Sequence, residues 1–364
     1  MIRYFFAFLI LLHGLIHLMG FAKAFSYGNI TQLTKYISKP MGLLWLLTSL
    51  LFITAIVLFL FNKGSWPIVA IVAVVLSQIL IISSWKDAKF GSIANLVVIL
   101  VAIPAWASRH FESQFRNDVK SHLRQTFETP GGLLTEADIQ SLPQPVQKYL
   151  KFSGVINKPR VKNMRIIFDG EMRSKGKDWF AFQSVQYNFF DDPTRLFFMK
   201  ARMFGMVVPG YHDYQDKTAR MNVKLFGLFP VMHAKGPEMN KAETVTVFND
   251  MCLMAPATLI DKRIQWEPID SVSAKAYFSN GINKISAILY FNEKGELVNF
   301  ISDDRYVIDE MKQYRFSTPV KEYKVINGMN VMAYGEAVWH YPDGEFVYGK
   351  FTLKSIDYNL DDYK

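Results

Sequence analysis

The first hundred or so residues are apolar almost without interruption, and the remainder are not; no other feature so limits what this chain can fold into. Four apolar stretches follow one another between Tyr4 and Trp106: Tyr4–Met19 running on to Phe25, Met41–Phe61, Trp66–Ser84 and Gly91–Ala107. A helix needs about 20 apolar residues, in a range of roughly 17–25, to cross the hydrocarbon core. All four stretches lie in or near that range. Trp45, Trp66, Trp85 and Trp106 stand at or near their ends, where interfacial aromatics belong. The expectation is a four-helix transmembrane region over residues 1–108. A cleaved signal peptide is the alternative for the first stretch, with Arg3 as its charged start and Ala22-Lys23-Ala24 as its cleavage site. The length of the run, its two histidines and the three spans behind it favour a retained helix.

Charge supports this division. The chain carries a net +9, but residues 1–108 alone hold seven basic residues and one acid, Asp87. That leaves only +3 on the other 256 residues, with no basic cluster among them. Most of the excess sits in loops flanking apolar segments, where it orients a membrane protein. The expected partner is therefore a lipid bilayer and not a nucleic acid. Cys252 is the only cysteine, which excludes an intrachain disulfide and a cysteine-based zinc site.

His13 and His17 stand four apart in the first stretch, which places both rings on one face of a helix. Ionisable groups in a membrane face a bundle interior, a partner or a cavity. One reading is a metal or haem site, or a path for protons or quinone. The other is a pair of neutral histidines hydrogen-bonded to Ser, Thr or backbone on neighbouring helices. Gly14 stands where the zincin motif has its glutamate, so that motif is absent. No metal and no cofactor is expected; His13 and His17 are the weak metal candidates.

Residues 109–158 read as a helical linker: a polar exit helix over Arg109–Phe127, a break at Thr129-Pro130-Gly131-Gly132, a capping-box pattern at Thr135–Asp138, and a short helix opened by Pro143-Gln144-Pro145 and closed by Gly154. Residues 159–364 read as strands: Val161–Met172, Trp179–Phe189, Arg195–Met203, Ala219–Leu225, Asn283–Phe291, Leu297–Ile301 and Phe346–Ile356. Asn327-Gly328 is the strongest hairpin turn, because both residues tolerate positive φ. One helix interrupts the strands near 237–254, with Pro237 in its first turn. The fold class expected is a helical membrane bundle followed by an α+β domain with a curved, mostly antiparallel sheet.

Leu142–Leu150, Ala201–Gly205, Gly236–Met239 and Trp266–Asp270 together resemble a bacterial family of uncharacterised membrane-anchored proteins, a domain of unknown function. Gly14-Leu15-Ile16-His17 is similar to a span found among its members. The resemblance implies a sheet like that of the periplasmic lipoprotein carriers, an incomplete barrel that shields lipid chains. The family being bacterial, the expected location is the inner membrane; basic residues on the two sides nearly balance, and the greater positive charge on the C-terminal flank of the first helix favours termini, and so the soluble domain, outside. The resemblance carries over no catalytic residue. The four helices themselves faintly resemble small four-helix membrane proteins of the DoxX type.

The soluble part shows no nucleophile elbow, phosphate-binding glycine loop or metal-spaced triad. His212 beside Asp213 in Tyr211-His212-Asp213 is a weak acid–base pair, since neighbours on a strand point to opposite faces. His233, Glu267 and Asp270 are further polar candidates for an enzyme acting on a membrane substrate; Asp303-Asp304 reads as a solvated turn. Met199, Met203, Met206, Met221, Met232, Met239, Met251 and Met254 concentrate in mid-domain, with Phe197, Phe198, Phe204, Phe226 and Phe229 among them. Thioether side chains are flexible and line surfaces that accept varied apolar partners. They form either a methionine-rich core or a cavity for a lipophilic ligand. Met199, Met203, Phe204, Met221, Phe226, Met232, Met251 and Trp266 are the ligand-binding candidates. A third possibility, a purely structural or assembly role, needs neither a groove nor a polar cluster.

Overall fold

Residues 2–126, 131–203 and 206–364 are described by the structure, a computed structural model. Four of its helices are long and apolar enough to cross a membrane. They are α1 (Ile2–Ala24), α2 (Lys39–Leu60), α3 (Trp66–Ser83) and α5 (Gly91–Thr126), with the single turn α4 (Trp85–Ala88) between the last two. Pro40 and Pro67 fall in the first turns of α2 and α3, where a missing N–H costs nothing. Small residues let the first two helices approach closely. A Cβ on Gly20 would lie 2.2 Å from the Trp45 ring, so only glycine fits there.

The fourth apolar stretch and the polar exit segment expected after it are continuous. One 36-residue helix runs through Pro104 and the polar exit segment to Thr126, about 54 Å at 1.5 Å per residue. The chain divides into two compact units within this helix. The first comprises residues 1–111 and 226–228, the second 112–225 and 229–364.

Among the described residues, the second unit adds α6 (Glu136–Ile139), α7 (Gln144–Phe152) and α8 (Pro237–Met254) to sixteen strands. The strands are β1 (Asn163–Met172), β2 (Phe180–Phe189), β3 (Thr194–Met203), β4 (Met206–Gln215), β5 (Thr218–Leu225), β6 (Phe229–Lys235), β7 (Ile264–Pro268), β8 (Ser273–Asn280), β9 (Asn283–Phe291), β10 (Leu297–Ser302), β11 (Tyr306–Val307), β12 (Lys312–Gln313), β13 (Arg315–Ser317), β14 (Val320–Ile326), β15 (Met329–Tyr341) and β16 (Gly344–Tyr358). Fourteen form one antiparallel sheet in the order β6-β5-β4-β3-β2-β1-β16-β15-β13-β10-β9-β8-β7, with β14 beside β15. The end strands β6 and β7 are not paired with each other, so the sheet is open. Pro268 ends β7, an edge strand, which is where a sheet tolerates proline.

The sheet bends back on itself. β4 and β8 lie nine places apart in the strand order. In a flat sheet that is about 43 Å at a spacing of roughly 4.8 Å. Yet Asn280 at the end of β8 donates to the Tyr214 hydroxyl of β4 at 2.9 Å, and Asn283 to the Lys217 carbonyl at 2.8 Å. Helix α8 occupies the bend and touches both wings. On one, Thr244 bonds the Tyr214 hydroxyl (2.8 Å) and Asn240 accepts from the Ala219 N–H (2.7 Å). On the other, Phe248 stacks on Phe278 and meets Phe300 edge-on, and Asn249 donates to Thr318. A helix so enclosed must be largely apolar all round, and residues 242–245, 247–249 and 251–254 of α8 are buried. The C-terminal half of α5 packs on the outer face of the same sheet, with Phe115 against Tyr187, Phe198 and Tyr211.

Candidate functional site

Two places combine chemistry with enclosure. The first is inside the helical unit, where His13 and His17 are both buried. His17 Nδ1 lies 2.8 Å from the His13 carbonyl, which only accepts, so the ring carries its proton there. The Ser77 hydroxyl then donates to His17 Nε2 at 2.9 Å. His13 Nε2 faces Asn95 Oδ1 at 2.9 Å, while Asn95 Nδ2 donates to Gln78 and Gln78 to Ser92. One proton on each ring satisfies every bond of this chain, and the rings pack on Phe52 and Trp45. The arrangement matches the hydrogen-bonded alternative anticipated for these histidines. Among the described residues, no group of three or more His, Cys, Asp or Glu side chains could hold a metal.

The second place is the inward face of the β1–β6 wing. Alternation along β3 puts Phe197, Met199, Ala201 and Met203 on one face. Register places Gly210, Val223 and Met232 in a row with Met199, and His212, Met221 and Ala234 in a row with Phe197. Phe182, Phe197, Met199, Ala201 and Val208 bury one another in a cluster of their own. Met172, Phe180, Met203, Val223, Leu225 and Phe351 pack around it, and Phe351 also borders the main core.

Of the ligand candidates, Met199, Met203, Met221 and Met232 therefore share this face. Met251 lies elsewhere, fully buried on α8 in the main core. Trp266 is half-buried on β7, its indole N–H donating to the Leu259 carbonyl. Phe226 occupies the turn between β5 and β6 with a positive φ of 57°. Phe204 lies outside the described residues. Phe182, Val208 and Phe351 were not anticipated; the alternation Phe180, Phe182, Ser184 along β2 is the signal that marks the first of them.

Polar groups border the apolar cluster. Arg195 bonds Asp250 (2.9 Å), Glu243 (3.1 Å) and Gln186 (3.0 Å), and its guanidinium lies 4.7 Å above the Phe197 ring. Gln186 and Asn188 also donate to Asp250. Burial holds the Asp250 carboxyl above its usual range against the pull of Arg195. Long-range register assembles this cluster, and an aspartate inside the apolar run of α8 is its one linear trace. His212 packs on Phe197 with ring centroids 5.6 Å apart. Its pKa falls to about 3, first through burial and then through the charges of Arg195 and Arg305.

The other polar candidates do not converge. Asp213 faces away from His212, paired with Arg220 at 2.9 Å. His233 bonds Asn222, which pairs with Tyr211, so it lies on the face opposite His212. Glu267 accepts from Tyr277, and Asp270 accepts from the Val272 N–H in a turn. Asp303 pairs with Arg315, and Asp304 with Lys241 and Ser286. Two concavities among the described residues lie away from the methionine face. One, of about 190 Å³, is lined by residues including Arg160, Lys162 and Asn359; the other, of about 130 Å³, by residues including Lys275, Asp303 and Arg315. Both are smaller than the roughly 300–1,000 Å³ of an ordinary ligand pocket.

Comparison with known proteins adds a family but no activity. No curated protein matches the chain. Among solved structures, the crystal structure of a beta-barrel-like protein of domain of unknown function DUF1849 from Brucella abortus is 11% identical, with a TM-score of 0.19; the match covers 55% of this chain and 99% of that one. Residues 132–351, the greater part of the chain, match the family of unknown function DUF6544, and the chain belongs to that family.

Proposed function

We propose that this is a membrane-anchored protein whose sheet domain binds or shields a lipophilic ligand at the extracytoplasmic surface of a bacterial inner membrane. The observation that carries this reading is the second apolar cluster. Phe182, Phe197, Met199, Ala201 and Val208 lie on the inward face of an open, bent sheet and form a body distinct from the core around α8. This second cluster is bordered by the half-buried Met172 and Met203, flexible side chains suited to a surface that admits an acyl chain. The side chains pack on one another, so a ligand enters by displacing them. Unbranched methionines permit this at small cost, because each has several rotamers close in energy. An enzymatic reading lacks a comparable observation, since His212, His233, Glu267 and Asp270 serve different faces and elements.

The test is mass spectrometry of the full-length protein purified in a mild detergent and then transferred to amphipathic polymer. A lipophile bound near one per chain, displaced in an Ala201→Trp variant that stays folded, is the expected result. A folded wild-type protein that retains no lipophile and takes up no added fatty-acyl probe would remove the proposal.

A further inference from the structure

Arg305 follows β10 and enters a box of three aromatic rings. Its guanidinium carbon lies 4.2 Å from the centroid of Phe316, 5.0 Å from Trp339 and 5.8 Å from Tyr348. A guanidinium has five N–H donors. The Tyr348 hydroxyl accepts one, from Nη1 at 2.5 Å, while Nε is buried and has no acceptor among the described residues. Among the described residues no carboxylate pairs with Arg305. The two acids beside it in sequence are engaged elsewhere, Asp303 with Arg315 and Asp304 with Lys241. An enclosed charge without a counter-charge is costly and survives where something offsets it. The ring faces offset part of it through cation–π attraction. They leave Nε without an acceptor.

The box shares a face of the sheet with the apolar cluster: Phe182, Gly170, Phe351 and Gly335 stand in one row, and alternation along β15 puts Trp339 on the side of Gly335. The Arg305 charge acts on His212, which packs on Phe197, a member of that cluster. Phe351 joins the main core, to which the box residues belong, to Phe182 at 5.5 Å. A cationic end and an apolar wall thus adjoin on one face, which is the chemistry of an anionic amphiphile. We propose that Arg305 binds the negatively charged head, a carboxylate or a phosphate, of the lipophile whose tail lies along Phe182, Phe197 and Met199. This rests on the lipophile-binding reading and specifies its ligand class.

The experiment uses full-length protein in detergent, two photoprobes and two competitors. The probes are hexadecanoic acid with a mid-chain diazirine and its methyl ester; the competitors are monohexadecyl phosphate and unlabelled hexadecanoate. Photolabelling is mapped by peptide mass spectrometry. The acid should label β2–β4 with a half-saturation roughly tenfold or more below that of the ester, the size of one charged hydrogen-bonded contact. Arg305→Gln should abolish that preference, and Arg315→Gln, which alters an exposed pair, should keep it. Stronger competition by the phosphate than by unlabelled hexadecanoate assigns a phosphate head; the reverse order assigns a carboxylate. Equal labelling by acid and ester in the wild type overturns the proposal while leaving lipophile binding intact, and needs no variant to fold. A preference that survives in a folded Arg305→Gln protein overturns it too. No labelling of the sheet domain by either probe removes both readings.

Discussion

Charge and burial set the terms at single residues. Arg195 is 9% exposed and holds Glu243 and Asp250, at 6% and 15%, together with Gln186. Removing one partner of a buried ionic group leaves the others uncompensated, at about 3–5 kcal/mol. Arg195→Leu should therefore lower unfolding stability by about that amount in a denaturant titration, while Arg315→Leu at the exposed Asp303 pair changes it by less than about 1 kcal/mol. His212 gives a pH signature. Its folded pKa of about 3 lies below the ordinary 6.5, so between those values the unfolded chain binds the extra proton. Stability contributed by neutral His212 is complete above pH 6.5 and is lost as the pH falls toward 3. The slope is at most about 1.4 kcal/mol per pH unit. Unfolding curves at pH 5 and 7 should differ less in His212→Phe than in the wild type; equal differences would refute the assignment. Of these groups the sequence exposed the methionines, through sheer density. It hid Arg195, Glu243 and Asp250, because long-range register brings them together and no local spacing marks them. Arg305 was equally hidden, since its box is drawn from β13, β15 and β16.

Local pattern reached some elements and not others, for physical reasons. Alternation identified β1, β2, β3, β5 and β9 within a few residues, and Asn327-Gly328 turns β14 into β15 with φ of 53° and 71°. Two other turns gave less warning. Asp216-Lys217, joining β4 to β5, and Phe226-Gly227, joining β5 to β6, also hold positive φ at both residues without an Asn-Gly pair. Hence β4 and β6 were not assigned as strands. The spans were legible from apolarity alone, and the polar exit segment continues the fourth of them to Thr126, because a helix does not stop where its surroundings change from apolar to polar. Within the bundle, Gly20 is the position most exposed to test. A side chain there meets the Trp45 ring at 2.2 Å, and overpacking costs about 1–3 kcal/mol. Gly20→Val should lower the melting temperature of the detergent-solubilised protein, whereas Ile16→Val, at an exposed position of α1, should leave it unchanged.

The bundle's own contacts bear on which way the whole molecule faces. Thr34 bonds Asp87 and Lys35 donates to the Ser83 carbonyl, so the α1–α2 and α3–α5 connections share one end. Arg3 donates to the carbonyls of Phe59 and Leu60, and Arg109 lies against Gly64, so the N-terminus and the exit of the fourth span share the other. Counted on sequence, basic residues on the two sides nearly balance. The continuity of α5 changes that count: Arg116, Lys120 and Arg124 lie on a helix that is already part of the sheet unit, and Arg116 pairs there with Glu112. The short connections then hold Lys23, Lys35, Lys39, Lys86 and Lys89 at one end, against Arg3, Lys63 and Arg109 at the other. Excess Lys and Arg in short loops faces the cytoplasm. We expect the five-lysine end inside and both termini, with the sheet domain, outside. Alkaline phosphatase fused after Lys364 should be active in a bacterial host, and a green fluorescent protein fused there should be dark. The opposite pair of signals would place the sheet domain, and any ligand it takes, on the cytoplasmic face. Replacing Lys86 and Lys89 by glutamine should weaken the preference for the first orientation, because it leaves three basic residues at each end.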